Sequence, residues 1–169
     1  MFRVAPFSIV LFIYLFIIFF FRKPERVNKN KNIIVSPCDG TVTYVTNNKM
    51  SVFLSVFDVH WQYIPIDSYV KNIEIIKGTF NLAFGPESGH NAGIKVTFSS
   101  KLGDIQVTQR VGFFVRRIDN DIQIKDVVKQ SDPYGIIRFG SRVDILLPDT
   151  YKCIVNKGDK VIGGITPLI

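Results

Sequence analysis

The chain beyond Asn32 is divided into short apolar runs by glycine, proline, asparagine and aspartate. Runs rich in Val, Ile, Phe and Thr, with turn residues at this spacing, predict a β-sandwich or barrel. No segment there has the apolar periodicity of a three-turn helix, so we expect a mainly β domain with little helix. The predicted strands are Asn32–Val35, Thr41–Val45, Ser51–Phe57, Val70–Ile76, Ala92–Phe98, Asp104–Val111, Phe113–Ile118, Ile136–Phe139, Val143–Leu147 and Val161–Ile165.

One apolar run, Tyr134–Pro148, is interrupted at its centre. The sequence YGIIRFGSRVDILLP has the character of a single long strand except for Gly140, Ser141 and Arg142. Glycine weakens a strand interior and usually marks a bulge or a close approach of the backbone to another group. The interruption therefore needs a reason other than strand pairing.

The N-terminal run Phe7–Phe21, FSIVLFIYLFIIFFF, contains no charge. A signal peptide would end in small residues at a cleavage site, and a buried helix would have a polar side opposite an apolar stripe. Neither feature is present, so we predict a hydrophobic membrane anchor and basic linker in residues 1–31 and a β-rich domain in residues 32–169. Fifteen helical residues rise about 22 Å, less than the roughly 30 Å of a bilayer core. Spanning and re-entrant insertion therefore both stay open.

The formal net charge of +7 favours an anionic partner, either a lipid surface or a nucleic acid. Basic residues directly follow the anchor, which favours anionic lipid and, by the positive-inside rule, a domain on the cytoplasmic face. Aromatic and basic residues also mix in Val111–Ile118, but strand alternation explains that segment as one buried face with solvated arginines. We therefore expect no nucleic-acid partner. The basic residues after the anchor are Arg22, Lys23, Arg26, Lys29 and Lys31.

Histidine and aspartate supply the chemical candidates. His60 and Asp58 are two residues apart in a predicted strand, hence on one face, where a carboxylate could orient an imidazole for acid–base work. A purely structural pair fits the same spacing and is the alternative. Asp39 lies in a Pro-Cys-Asp-Gly turn, which by itself needs no function. The sequence has no phosphate-binding loop, zinc motif or nucleophile elbow, and its two cysteines indicate neither a disulfide nor a metal site.

Seven segments, taken in order, resemble the short, compact branch of the phosphatidylserine decarboxylase family. They extend over Phe20–Leu168, and FGSRVD together with DVH is the most specific pair. The segments are FFRKPER, VSPCDGTV, LSVFDVHWQYIP, GTFNLAF, VGFFVRRI, YGIIRFGSRVDILLP and KGDKVIGGITPL. The resemblance implies a mainly β fold of sandwich or barrel type. It also implies a pyruvoyl-dependent enzyme that converts phosphatidylserine to phosphatidylethanolamine with release of CO2.

The resemblance gives the interruption a function, because it implies that the chain is a proenzyme that cuts itself between Gly140 and Ser141. The Ser141 hydroxyl would attack the preceding carbonyl and replace the amide by an ester. Elimination and hydrolysis would then leave a pyruvoyl group, the cofactor, at the new N-terminus. The large chain, residues 1–140, and the small chain, residues 141–169, would stay associated.

The same resemblance assigns roles at the site. Ser141 supplies the group that forms a Schiff base with the substrate amine, His60 transfers a proton, and Asp39 orients or charge-balances the centre. Asp58 is then structural, and no metal is implied. The implied partners are a serine phospholipid and an anionic membrane. Ester or ether linkage of the lipid and assembly into a homodimer both stay open.

Two positions depart from the family pattern. Many longer relatives have histidine where this chain has Tyr63, and the family commonly has Asn-Glu-Arg where this chain has Asn91–Gly93. Glu87 and His90 are candidates for replacing the missing charged pair. These departures leave an inactive, membrane-associated lipid-binding relative of the same fold as the alternative. Biotinyl and lipoyl carrier modules are also similar in two segments, but the chain lacks their Met-Lys hairpin tip.

Overall fold

A computed structural model of the chain describes residues 4–82, 86–112, 117–138 and 141–169. Within these residues one α-helix, α1 (Val4–Phe20), precedes eleven β-strands, and a short 3-10 helix, Pro86–His90, lies between the fourth and fifth strands. The strands are β1 (Gly40–Val45), β2 (Lys49–Leu54), β3 (Trp61–Tyr63), β4 (Ser68–Ile76), β5 (Gly93–Ser100), β6 (Gly103–Arg110), β7 (Ile118–Asn120), β8 (Val127–Val128), β9 (Pro133–Ile137), β10 (Ser141–Leu146) and β11 (Lys160–Val161).

The strands form two antiparallel sheets. An eight-stranded sheet has the order β11-β1-β2-β10-β6-β5-β4-β8, and a three-stranded sheet has the order β3-β9-β7. The predicted mainly β fold is confirmed. The sequence KVTFSSKLGDIQVTQRV, with a Ser-Ser-Lys-Leu-Gly-Asp loop between two apolar runs, predicts a hairpin. This prediction is confirmed, since β5 pairs with β6 from Gly93↔Arg110 to Ser100↔Gly103.

The interrupted run is divided between the two sheets. β9 lies in the three-stranded sheet between β3 and β7, whereas β10 lies in the eight-stranded sheet between β2 and β6. One continuous strand could not serve both sheets, so the chain must leave one ladder before it enters the other. Phe139 and Gly140, which lie between β9 and β10 in the sequence, are outside the described residues.

Some predicted strand bounds are wrong. Asn32–Val35 is not a strand and forms a single bridge, Val35↔Pro167. β2 ends at Leu54 rather than Phe57, and the short strand β3 was not predicted because its three residues carry no alternation. Most of the predicted strand Phe113–Ile118 lies outside the described residues, although Ile118 begins β7.

The core lies on one face of the large sheet and is completed by β9. Alternate residues of β2, such as Val52 and Leu54, and of β10, such as Val143, point into it, as the two-residue period of a strand requires. Tyr134 of β9 packs its ring against Phe98, with 5.5 Å between ring centroids. The two sheets therefore share one core.

Helix α1 differs from the core strands because apolar side chains are exposed along most of its length. Phe7 is 70% exposed and Phe12 is 71% exposed, whereas Phe20, the last residue of the helix, is fully buried. Among the described residues, no helix combines the length and the apolar character needed to cross a membrane.

Candidate active site

Ser141 begins β10 and lies opposite Leu54 of β2. Strand alternation puts its side chain on the same face as the core residues Val143 and Ile145. Ser141 is fully buried, and its Oγ has no hydrogen-bond partner among the described residues. Buried polar atoms without a partner are uncommon, and a catalytic role is one of their recognised causes. The second residue of the predicted cleavage site, Gly140, lies outside the described residues.

His60 lies in the loop between β2 and β3, so the prediction that His60 and Asp58 share a strand face is wrong. The carboxylate of Asp58 accepts hydrogen bonds from the backbone N of Ser55 at 2.8 Å and from its Oγ at 2.7 Å. These bonds close a turn directly after Leu54 and end the strand. Asp58 therefore shapes the loop that carries His60, as a structural residue does.

The imidazole of His60 is held by a backbone carbonyl rather than by a carboxylate. Its Nδ1 lies 3.0 Å from the carbonyl oxygen of Asp58. A carbonyl can only accept, so Nδ1 carries the hydrogen and Nε2 keeps a lone pair. Nε2 is buried and has no partner among the described residues. Burial lowers the pKa of His60 and outweighs the hydrogen bond to Asp58, which raises it, so the ring is neutral at neutral pH.

Ser141 and His60 lie on adjoining segments. The backbone N of Ile137, at the end of β9, donates to the carbonyl of His60 at 3.3 Å. β9 then leads through Arg138 towards the start of β10. No hydrogen bond joins the two side chains in the described part of the chain, where both reactive atoms are without a partner.

Asp39 is held by an ion pair that the sequence did not indicate. Arg26 binds both carboxylate oxygens, with 2.9 Å between its Nη2 and Oδ2, and the backbone N of Gly163 donates to Oδ1 at 2.8 Å. The side chain of Arg26 is 8% exposed. The expectation that Arg26 faces the lipid surface is therefore wrong, because the carboxylate 13 residues away holds its guanidinium inside the domain.

Tyr63, one of the two expected departures from the family pattern, joins the same cluster. Its hydroxyl donates to the carbonyl of Pro24 at 3.0 Å, and the guanidinium carbon of Arg26 lies 4.6 Å from its ring centroid. Burial raises the pKa of Tyr63, so the phenol stays protonated. Asp39 and Tyr63 are thus neighbours in space, and Arg26 contacts both of them.

Two arginines and an aspartate form a hydrogen-bonded ion cluster that joins β6 to β10 just after Ser141. Arg142 Nε donates to Asp144 Oδ1 at 2.7 Å, and Arg110 Nε donates to Asp144 Oδ2 at 2.6 Å. Burial alone would raise the pKa of Asp144, but hydrogen bonds from Arg110, Ser51 and Arg142 lower it. The motif Ser141-Arg142-Val143-Asp144 is a sequence signal for this ion cluster, since alternation puts Arg142 and Asp144 on one face.

Asn91 has a structural role in the neighbouring loop. It is fully buried, and its amide nitrogen donates to the carbonyls of Asn81 at 2.7 Å and of Val111 at 2.9 Å. Glu87 and His90 are exposed on the 3-10 helix, and within the described residues only their backbone carbonyls join this loop, as acceptors from Asn81 and Thr79. The structure therefore does not bring Glu87 or His90 to Ser141 through any contact in its described part.

A groove of about 770 Å³ opens beside His60, at the residue that follows it in the chain. Trp61 and Phe21 form part of its apolar wall, and Arg117 and Arg138 border it. Both arginines donate to Asp119, at 2.6 Å from Arg117 Nε and 2.9 Å from Arg138 Nε. The volume is in the range of sites that bind small molecules.

Comparison with known proteins identifies the family of the chain. The family model described as phosphatidylserine decarboxylase matches residues 13–168. The chain is 37% identical, over 90% of its length and 77% of the relative's, to the phosphatidylserine decarboxylase proenzyme of Chlorobium chlorochromatii. It is 34% identical, over 94% of its length and 81% of the relative's, to the proenzyme of the same name from Carboxydothermus hydrogenoformans.

An archaeal relative has a different lipid in its name. The protein of Methanosarcina mazei named "Putative archaetidylserine decarboxylase proenzyme" is 37% identical over 88% of this chain and 72% of its own length. The family match, residues 13–168, spans the positions of both Ser141 and His60. The chain therefore belongs to the phosphatidylserine decarboxylase family, a family of decarboxylase proenzymes.

Proposed function

We propose that the chain is the proenzyme of a pyruvoyl-dependent decarboxylase that converts phosphatidylserine to phosphatidylethanolamine with release of CO2. The observation that supports this most is the fully buried Ser141 hydroxyl, which has no partner in the described residues and follows Gly140 in the chain. A hydroxyl that no other group engages keeps its lone pairs available for nucleophilic attack. Phosphatidylserine and archaetidylserine, the two lipids in the relatives' names, share the serine headgroup on which this reaction acts.

Maturation at Gly140-Ser141 requires water as its one co-reactant. Ser141 Oγ bonds to the carbonyl carbon of Gly140, the C–N bond breaks, and the hydroxyl proton ends on the released nitrogen, so that an ester replaces the amide. Loss of the Ser141 Cα proton then expels the Gly140 carboxylate. Water replaces the nitrogen, which leaves as ammonia, and residues 141–169 begin with a pyruvoyl group. His60 Nε2, with its unused lone pair, is our choice of base.

The surroundings of Ser141 suit such a group. The side chain points to the core face beside Val143, away from water. A pyruvoyl group supplies an electrophilic carbonyl that takes up the substrate amine and accepts the electron pair left by CO2. His60 Nε2, after taking up a proton from water, would deliver that proton to the substrate carbon. Asp39, already paired with Arg26, fixes the segment around Gly163 rather than contributing a free charge.

The two chains should remain one molecule after the cut. β10 of the small chain lies between β2 and β6 of the large chain and is paired with both along most of its length. β11 of the small chain also pairs with β1. Only the first pair of the β10–β2 ladder, Ser141↔Leu54, includes a residue of the cleaved bond. The pairs from Arg142 to Leu146 lie beyond the cut and should remain intact.

Intact-mass measurement of the purified full chain tests the proposal. We expect residues 1–140 and residues 141–169, the latter lighter by one ammonia than the plain serine peptide, and CO2 release from phosphatidylserine vesicles. A single chain of 19.2 kDa without CO2 release would instead support the inactive lipid-binding relative.

We also propose that α1 attaches the enzyme to the membrane that contains its substrate. The apolar side chains of α1 are exposed, as in Phe12, and exposed lysines such as Lys29 follow the helix. The 17 residues of α1 rise about 25 Å, and basic residues after the helix favour the cytoplasmic side for the β domain.

Replacing Phe12 by aspartate should weaken vesicle binding about 100-fold, because a carboxylate in hydrocarbon costs about 3 kcal/mol relative to an apolar residue. Co-sedimentation with vesicles of anionic lipid measures this change. Val127→Asp is the matched control, since Val127 is 87% exposed on the β domain. Equal binding of the two variants would show that α1 does not insert.

A further inference from the structure

The buried end of α1 lies directly on the imidazole of His60. The rings of Phe20 and His60 are 4.3 Å apart between centroids, with an angle of 35° between their planes. Both residues are fully buried. Phe20 therefore covers one side of the ring whose Nε2 has no partner among the described residues.

The contact is fixed by bonds on either side of Phe20. Arg22 donates from Nη1 to the carbonyl of Phe19 at 2.8 Å and from Nη2 to the carbonyl of Phe57 at 2.6 Å. Trp61 Nε1 donates to the carbonyl of Phe21 at 3.3 Å. The end of the helix is thus hydrogen-bonded to Phe57, which precedes His60 in the chain, and to Trp61, which follows it.

We propose that Phe20 is a positioning residue for the decarboxylation: it seals the imidazole of His60 from water and holds the ring in the orientation that leaves Nε2 available. The role of His60 in decarboxylation is taken from the proposed function, whereas the contact between Phe20 and His60 does not depend on it. A helix most of whose described apolar side chains are exposed thereby contributes one side chain to the active site.

The charged groups around His60 show how the cover provided by Phe20 affects the pKa of His60. The carboxylates of Asp58 and Asp39 favour the protonated ring, whereas Arg22 opposes protonation. Burial is the largest influence and keeps the pKa of His60 below its ordinary value. If water reached the ring, desolvation would lower the pKa of His60 less, while the two carboxylates would still raise it. The pKa of His60 would therefore rise, and the ring would stay protonated up to a higher pH.

Phe20→Ala tests the inference in the full chain, in detergent. NMR titration of His60 gives a readout independent of turnover, since the chain has only two histidines and His90 is exposed. We expect the pKa of His60 to rise towards 6.5. Because His60 delivers a proton during turnover, the alkaline limb of the kcat profile should move to higher pH, with KM changed less than about twofold. Phe20→Leu, which keeps an apolar cover, should give a smaller shift in both readouts and serves if the alanine variant does not fold.

Phe12→Ala is the matched control, because it removes the same ring from the same helix at a site 71% exposed. It should leave the pKa of His60 unchanged. An unchanged pKa in Phe20→Ala would overturn the inference even if the enzyme were fully active. Conversely, a shifted pKa in a protein that never releases CO2 would uphold the seal and remove the proposed function.

Discussion

Replacing Ser141 by alanine is expected to give a single uncut chain with no measurable decarboxylase activity. The alanine lacks the oxygen that attacks Gly140, and no later step can form a carbonyl at this position without it. The fold should persist, because the lost hydroxyl has no hydrogen-bond partner in the described structure. Removing a buried polar group that makes no bond costs little or is stabilising by about 1 kcal/mol.

Intact mass, CO2 release and circular dichroism together measure this result. Ser131→Ala is a matched control, since Ser131 is also buried but donates from Oγ to the carbonyl of Gly164 at 2.6 Å. The control should lose about 1 kcal/mol of stability and still be cut. Cleavage in the Ser141→Ala variant would show that another group breaks the chain and that Ser141 has been assigned wrongly.

Replacing His60 by asparagine should lower kcat by about 10²- to 10⁴-fold, the usual contribution of a positioned acid or base. Asparagine keeps a donor near the position of Nδ1, so the bond to the Asp58 carbonyl can be retained while the acceptor at Nε2 is lost. Intact-mass measurement of this variant distinguishes the proposed role of His60 as the base in maturation from its proposed role as proton donor to the substrate. An uncut variant assigns His60 to maturation, and a cut but slow variant assigns it to the substrate proton. Wild-type turnover would exclude both roles.

The same variant should change the pH dependence of stability. Burial lowers the folded pKa of His60 below 6.5, so below pH 6.5 the unfolded chain binds more protons than the folded chain. Stability is therefore lost as pH falls from 6.5 to the folded pKa, and is fully present above 6.5. His60→Asn should lack this loss when thermal unfolding is followed from about pH 7 to pH 5.

The assignment of Asp39 shows where sequence reasoning reached its limit. Only the resemblance to the family implied a catalytic role for Asp39, and its partner Arg26 lies in the segment that we predicted to be a basic linker at the lipid surface. An arginine near a hydrophobic run can lie either at the lipid surface or inside the domain. It lies inside when a buried carboxylate is close enough to pair with it. Only the folded arrangement shows whether such a carboxylate is there.

The mainly β character and the β5–β6 hairpin could be predicted from the amino-acid sequence, which also indicated Ser141 as the candidate nucleophile. Alternation, turn residues and the Gly-Ser interruption are local, so each is readable within a few positions. Tertiary structure alone decided that β9 and β10 belong to different sheets, that His60 is held by a carbonyl, and that Phe20 covers its ring. These features join residues distant in sequence, and they arise from which surfaces pack together rather than from any period within one segment.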